Sequence, residues 1–205
     1  MTYPVTVIIP TIESRTRFLM TDCLPSVYDN RPSQVVIVGG DDWNGNEKRN
    51  SGAAAATQPY VLFVDDDSRL MPGAIGHLLN GIADDSAFCF GGYKYNVSRR
   101  PESLAASPET LPPNEVYPGK WHPERLKTGN YIDTTSLIRR SMFPGFDPKI
   151  RRFQDWDLWL TMAGLGRRGS YIPFCVVEKF VIDERVSVQV PEKEAKEAIV
   201  RKHGL

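Results

Sequence analysis

Four stretches of the chain are apolar almost without interruption, and each ends in a turn-forming or acidic cluster. They are "YPVTVIIP" from Tyr3, "QVVIV" from Gln34, "YVLFV" from Tyr60 and "AFCFGG" from Ala87. Short apolar runs of this kind predict strands covered on both faces. Between them the pattern changes to helical spacing. Leu19, Cys23 and Val27 mark a first helix, with Ser14 and Thr16 as candidate N-caps and Pro25 as a kink or early stop. The alanine-rich residues 47–57 predict a second helix, which Pro59 ends, and Ala74, Ile75, Leu78, Leu79 and Ile82 predict a third. The β-α-β-α-β-α-β rhythm implies an α/β fold: one doubly wound, mostly parallel (mixed) sheet with helices on both faces. Such sheets bind ligands beyond the carboxyl ends of their strands.

The second half is less regular. Residues 98–127 hold six prolines and few aliphatics, which predicts a proline-rich ordered loop or mobile lid. Tyr117, Trp121 and His122 in it are either ligand contacts or aromatic anchors. Residues 131–140, "YIDTTSLIRR", predict a strand; "FQDWDLWLTMAGLG" a helix closing near Gly164 or Gly166; "YIPFCVV" another strand. Residues 192–202 predict a charged tail helix with a solvated face. The expected organisation is one domain over 1–190 and a tail over 191–205.

Composition narrows the function classes. At 205 residues the chain can bury a core without staples, and no apolar run reaches the ~18 residues of a membrane span. The N-terminus reads as a strand rather than a signal peptide. Twenty-five basic and twenty-five acidic residues balance, which argues against general binding to nucleic acid or anionic membranes. Cys23, Cys89 and Cys175 are few and far apart, so disulfide and zinc scaffolds are not expected and a reducing cytoplasm is the default. Peripheral work at a membrane stays open.

The chemistry lies in "YVLFVDDDSRLMPG". Adjacent carboxylates repel, and Asp65, Asp66 and Asp67 each need water, a donor or a cation. One explanation is a solvated helix start, with Pro72 in the first turn. The other is a hard divalent cation, Mn²⁺ or Mg²⁺, bridging the carboxylates to a diphosphate. In extended backbone Asp65 and Asp67 share a face while Asp66 takes the other and holds the loop. A second acidic cluster, Asp155 and Asp157 in "FQDWDLW", admits two roles for Asp155: helix N-cap or general base. Trp156 and Trp159 are packing residues first and ligand walls second.

In this order the pieces resemble a family 2 glycosyltransferase of the GT-A fold, from about Thr6 to about Ile182. "VTVIIPT" resembles the opening strand and nucleotide-binding turn, and "CLPSV" the first helix. "KRNSGAAAATQPYVLFVDDD" is similar to the Arg-Asn-x-Gly helix and aspartate motif, and "FQDWDLWL" to the motif of the catalytic base. The resemblance implies a metal-dependent inverting transfer from a nucleotide-diphospho-sugar, a UDP-sugar favoured, to an acceptor hydroxyl. It implies Pro10, Thr11, Glu13, Asp41, Arg49, Asp65 and Asp66 around the nucleotide, Asp67 with Asp65 at the metal, Asp155 as base, and Trp156 and Gln154 at the sugar or acceptor. The acceptor is unidentified: a glycan, a protein, a lipid carrier or a modified nucleobase.

The chain departs from the family pattern in three places. "VGGDDW" replaces the usual aspartate pair, with Asp42 next in line after Asp41. Gln154 replaces an acidic residue, and no histidine stands directly after the last strand, where "EKFVIDERVS" offers Asp183 or Glu184. A GT-A-like nucleotidyltransferase is the first rival, disfavoured because "PTIESRTR" has no glycine for a triphosphate loop. A receiver domain would need an acidic pair after the first strand, where only Glu13 stands. A non-catalytic nucleotide-sugar-binding module is the third.

Overall fold

The computed structural model describes residues 1–40, 44–96, 114–181 and 190–205. Asp41, Asp42, Asp183, Glu184 and the first part of the proline-rich segment, through residue 113, lie outside the described residues.

The strands are β1 (Tyr3–Pro10), β2 (Pro32–Val38), β3 (Tyr60–Phe63), β4 (Ser68–Leu70), β5 (Phe88–Asn96), β6 (Glu115–Val116), β7 (Leu137–Arg139) and β8 (Gly169–Phe180). The helices are α1 (Thr16–Phe18), α2 (Leu24–Asp29), α3 (Gly45–Ala54), α4 (Ala74–Gly81), α5 (Pro123–Leu126), α6 (Gln154–Gly164) and α7 (Glu192–His203). One sheet runs in the order β2-β1-β3-β7-β5-β8-β4, with β6 paired to β5.

Alternate residues of a strand point to opposite faces, and here the two sets enter different apolar clusters. Ile8, Val61, Phe63, Phe88, Phe90 and Ile138 pack with Trp156 and Trp159 of α6 and Ile199 of α7. Val7, Ile9, Leu62, Cys89 and Leu137 pack with Leu24, Val27, Ile75 and Leu78 from the opposite layer. This two-sided burial is why β1, β3 and β5 read as continuous apolar runs; β2, equally apolar in sequence, is instead a half-buried edge strand with Ile37 43% exposed. Cys23 and Cys89 are fully buried core thiols, and burial pushes both to higher pKa, Cys89 to about 12.

The sheet is more mixed than the β-α-β rhythm implies. β2, β1 and β3 are parallel, as are β5 and β8, but β7 runs antiparallel between β3 and β5. The carboxyl ends of β1, β3, β5 and β8 therefore share one edge, and the residues leading into β7 arrive at that same edge.

Several expectations are corrected. The aspartates do not start a helix: the short strand β4 follows them, and α4 begins after Gly73, which is left-handed at φ 77°. Pro72 thus precedes the helix cap. Residues 131–136 are irregular, and only Leu137–Arg139 of the expected 131–140 strand pairs. Neither Ser14 nor Thr16 caps the first helix. That segment is a 3-10 turn (Glu13–Arg15), α1, a π segment (Leu19–Cys23) and α2, which Pro25 opens. The tail helix is not wholly solvated, since Ala195 and Ile199 are buried. Among the described residues no helix is long and apolar enough to cross a membrane.

The glycine of "KRNSG" has a packing reason. α3 lies so close to β1 that a Cβ on Gly52 would sit 2.4 Å from Ile8 Cγ2. Alanine would gain up to ~1 kcal/mol of helix propensity, but overpacking costs about 1–3 kcal/mol and Ile8 is fully buried. Gly52→Ala should lower stability by about 1 kcal/mol, read as an earlier urea midpoint at unchanged slope.

Candidate active site

A cleft of about 550 Å³ opens at the shared carboxyl edge, within the usual range for small-molecule sites. Pro10, Thr11, Ile12 and Arg15 border it after β1, and Asp65, Asp66 and Asp67 after β3. Tyr95 comes from β5, Lys179 and Phe180 from β8, Thr134 from the approach to β7. α3 supplies Gly45, Lys48 and Arg49, and Gln154 and Asp155 enter with the first turn of α6, next to Arg152 and Phe153.

The three aspartates are held differently. Asp65 Oδ1 lies 2.5 Å from Arg49 Nη2. Burial pushes Asp65 up, but the Arg49 charge and then Lys179 outweigh it, leaving the carboxyl below its usual range. Asp66 is 2% exposed, accepting from Thr11 Oγ1 at 2.8 Å and from Arg15 Nη1 at 3.1 Å. Arg15 Nη1 also reaches Asp67 Oδ2 at 3.4 Å. For Asp67, burial and then the neighbouring Asp65 charge exceed the pull of Arg15, and its pKa is pushed up to about 6.

Asp67 thus marks a corner where negative charge exceeds what the fixed cations compensate, and its hard oxygen donors fit a divalent cation. Among the described residues no group of three His, Cys, Asp or Glu forms a complete cage. An ion there would finish its shell with water and phosphate oxygens, as Mg²⁺ commonly does.

Across the cleft, Asp155 is half-buried in the first turn of α6. It is not the N-cap; that place belongs to Phe153, left-handed at φ 62°. Asp155 Oδ1 accepts from the Trp156 amide at 2.9 Å, and Oδ2 accepts from Asn130 Nδ2 at 2.8 Å. Burial raises its pKa, Lys179 opposes and Asp133 adds, leaving it at about 6. Lys179 Nζ is 2.5 Å from Asp133 Oδ2. Burial would lower the Lys179 pKa, but Asp133 and Asp65 hold it above the usual lysine range.

Two sequence candidates stand elsewhere. Trp156 is 6% exposed, donates to the Leu126 carbonyl at 2.6 Å and packs in the core, so it is no wall of the cleft. Glu13 is exposed and does not line the cleft. Trp121 packs edge-on against Phe88, and His122 caps α5. Arg15, Lys48, Asn130, Asp133 and Lys179 were not singled out from sequence. The charged "ESRTR" and "EKF" stretches held the only signal for Arg15 and Lys179.

A mixed sheet covered by helices, with a cleft holding four aspartates among basic side chains at its carboxyl edge, defines a GT-A-like domain. S. aureus TarS 1-349 in complex with UDP-GlcNAc has a similar fold: TM-score 0.67 and 15% identity, covering 99% of this chain and 65% of that one. A second TarS 1-349 structure matches at TM-score 0.59 and 17% identity, covering 88% of this chain and 60% of that one. This chain therefore spans about three-fifths to two-thirds of those TarS chains, and at such identities the likeness is one of fold. No curated protein matches the sequence. The model of glycosyl transferase family 2 matches residues 24–145, more than half of the chain, and the chain belongs to that family.

The Asp66–Arg15 pair should be a structural keystone. Removing one partner of a buried ion pair costs about 3–5 kcal/mol, and Arg15 keeps Asp67 nearby, which favours the lower end. Asp66→Ala is expected to cost about 3 kcal/mol in denaturant unfolding; a loss under about 1 kcal/mol would show that the pair bears little weight.

Proposed function

We propose that this chain is an inverting glycosyltransferase, moving a sugar from a nucleotide-diphospho-sugar to an acceptor hydroxyl. The observation that carries the reading is that Asp65, Asp66 and Asp67 share one cleft with Asp155, although about ninety residues separate them in sequence. A UDP-sugar is the favoured donor, supported by the TarS relative, which was solved with UDP-GlcNAc.

Asp67, with Asp65, is the candidate holder of Mn²⁺ or Mg²⁺. When bound, such an ion would neutralise the diphosphate and stabilise the charge it carries away. Arg49 fixes Asp65, while Arg15 and Thr11 fix Asp66 and with it the loop. Pro10, Thr11 and Ile12 border the donor end of the cleft. Asp155 takes the proton of the acceptor hydroxyl as its oxygen attacks the anomeric carbon. The new C–O bond forms opposite the diphosphate, whose own C–O bond breaks with the electron pair leaving on the nucleotide. One displacement inverts the anomeric centre. Tyr95, Thr134, Arg152 and Phe153 are the nearest walls for an acceptor.

Losing a positioned base costs on the order of 10²–10⁴ in rate. Asp155→Asn should reduce transfer by that range while donor binding, followed by thermal shift with UDP-GlcNAc and Mn²⁺, persists. Asp67→Asn should lose the Mn²⁺-dependent part of the shift. Wild-type turnover in both variants on a working substrate pair would refute the assignment. A base acts only when ionised, so kcat/KM should fall as pH drops through about 6 and stay level above it. A profile with no acid limb between pH 5 and 7 would count against Asp155.

A further inference from the structure

A carboxylate in the first turn of a helix can fold back onto its own backbone N–H groups, and Asp155 Oδ1 does so at Trp156. A base needs more than that: its second oxygen must face the acceptor in a fixed plane. Gln154, its neighbour in the chain, makes no bond to it among the hydrogen bonds described. The second grip on Asp155 comes from outside the helix.

That grip is Asn130. Its Nδ2 donates to Asp155 Oδ2 at 2.8 Å and to the Ile132 carbonyl at 3.0 Å, while its Oδ1 accepts from the Ile132 amide at 3.2 Å. Both partners of the nitrogen are acceptors and the partner of the oxygen is a donor, so all three bonds demand the same orientation of the amide. The segment carrying it is fixed in turn. Trp159 Nε1 donates to the Ile132 carbonyl at 2.9 Å, and Trp156 Nε1 to Leu126. Further along, Asp133 accepts from the Thr135 amide at 2.8 Å and holds Lys179. The two tryptophans of "DWDLW" thus tie the segment back to the helix that bears the base.

We propose that Asn130 is the positioning residue of this site: it sets the plane of the Asp155 carboxylate and supplies the side-chain hydrogen bond that favours its ionised form. The proposal rests on Asp155 being the base. The other groups around Asp155 are Lys179 from β8, Asp133 from the approach to β7, Asp65 after β3, Tyr93 from β5 and the Trp156 amide. Asn130 has the one neutral side chain bonded to Asp155 among the described residues.

The contact is tested first in the wild-type protein, without substrate. The side-chain amide signals of Asn130, assigned by their loss in Asn130→Asp, should move with pH and follow the Asp155 carboxyl carbon. In Asp155→Asn that movement should vanish. Amide signals indifferent to pH would overturn the proposal, whatever the enzyme does. Asn130→Asp is isosteric and keeps the acceptor for the Ile132 amide, but sets a second carboxylate against Asp155. It should raise the Asp155 midpoint by about one pH unit or more and shift the acid limb of kcat/KM equally. Asn130→Ala should lower kcat about tenfold, as for loss of a charge-assisted hydrogen bond, with donor KM within about twofold, and Asn130→Asp should not restore it. A donor KM that rises with the fall in kcat, or an unmoved midpoint in both folded variants, would mean a merely structural asparagine. Failure of the enzymatic reading appears separately, as undiminished transfer by Asp155→Asn.

Discussion

Three successive carboxylates can stand at the end of a buried strand only because guanidiniums stand behind them. Arg15 reaches Asp66 and Asp67 from the turn after β1, and Arg49 reaches Asp65 from α3. Without those charges burial would drive the aspartates to their neutral forms. The two arginines come from different elements, so their pairing also fixes the first connection and α3 against the end of β3. The compensation is incomplete at Asp67, and a site that leaves charge uncompensated at one corner is suited to a cation that arrives with its ligand. A fully neutralised cluster would have been a structural knot.

Topology determines what faces this cluster. Had all strands been parallel, only their exits would border the cleft. Because β7 runs the other way, the segment before it reaches the same edge and brings Asn130, Asp133 and Thr134. Lys179 then lies between the two acidic groups, bonded to Asp133 and within electrostatic range of Asp65 and Asp155. A fixed ammonium there opposes the charges of Asp133 and Asp65 at Asp155, so the two acidic groups feel each other through a partly compensated space.

Much of this was legible in the sequence, for definable reasons. The β1, β3 and β5 strands were legible because burial on both faces leaves unbroken apolar runs, β2 because its run is rich in valine and isoleucine although it lies half-buried at the sheet edge, and α4 and α6 because their spacing is helical. Asp65, Asp67 and Asp155 stand out because carboxylates beside apolar runs need an explanation. The partners of those aspartates were not legible. Arg15, Asn130 and Lys179 are ordinary polar residues until distant segments bring them together, and no local period encodes the direction of a three-residue strand such as β7. Trp156 reads first as a packing residue, and it packs in the core; its place at the sugar or acceptor came only from the family resemblance. Asp155 was weighed as an N-cap because cap statistics favour aspartate, whereas the left-handed Phe153 takes the cap and starts the helix at Gln154, one residue before Asp155.

The least informative part of the sequence, the charged tail, has a connection to the site. Asp157, 2% exposed and two residues beyond Asp155, lies 2.8 Å from both Lys202 Nζ and His203 Nε2 of α7. Lys202 also reaches Asp147, whose carbonyl accepts from Asn46 of α3 at 2.8 Å, and Asn50 of α3 exchanges bonds with Phe146. The helix that carries Arg49 and the helix that carries Asp155 are thus linked behind the cleft through this loop and the tail. Two walls joined only at their front would change their separation with every ligand. Joined also at the back, they hold the carboxylates of Asp65 and Asp155 at a separation set by the fold, as the proposed displacement between two bound substrates would require.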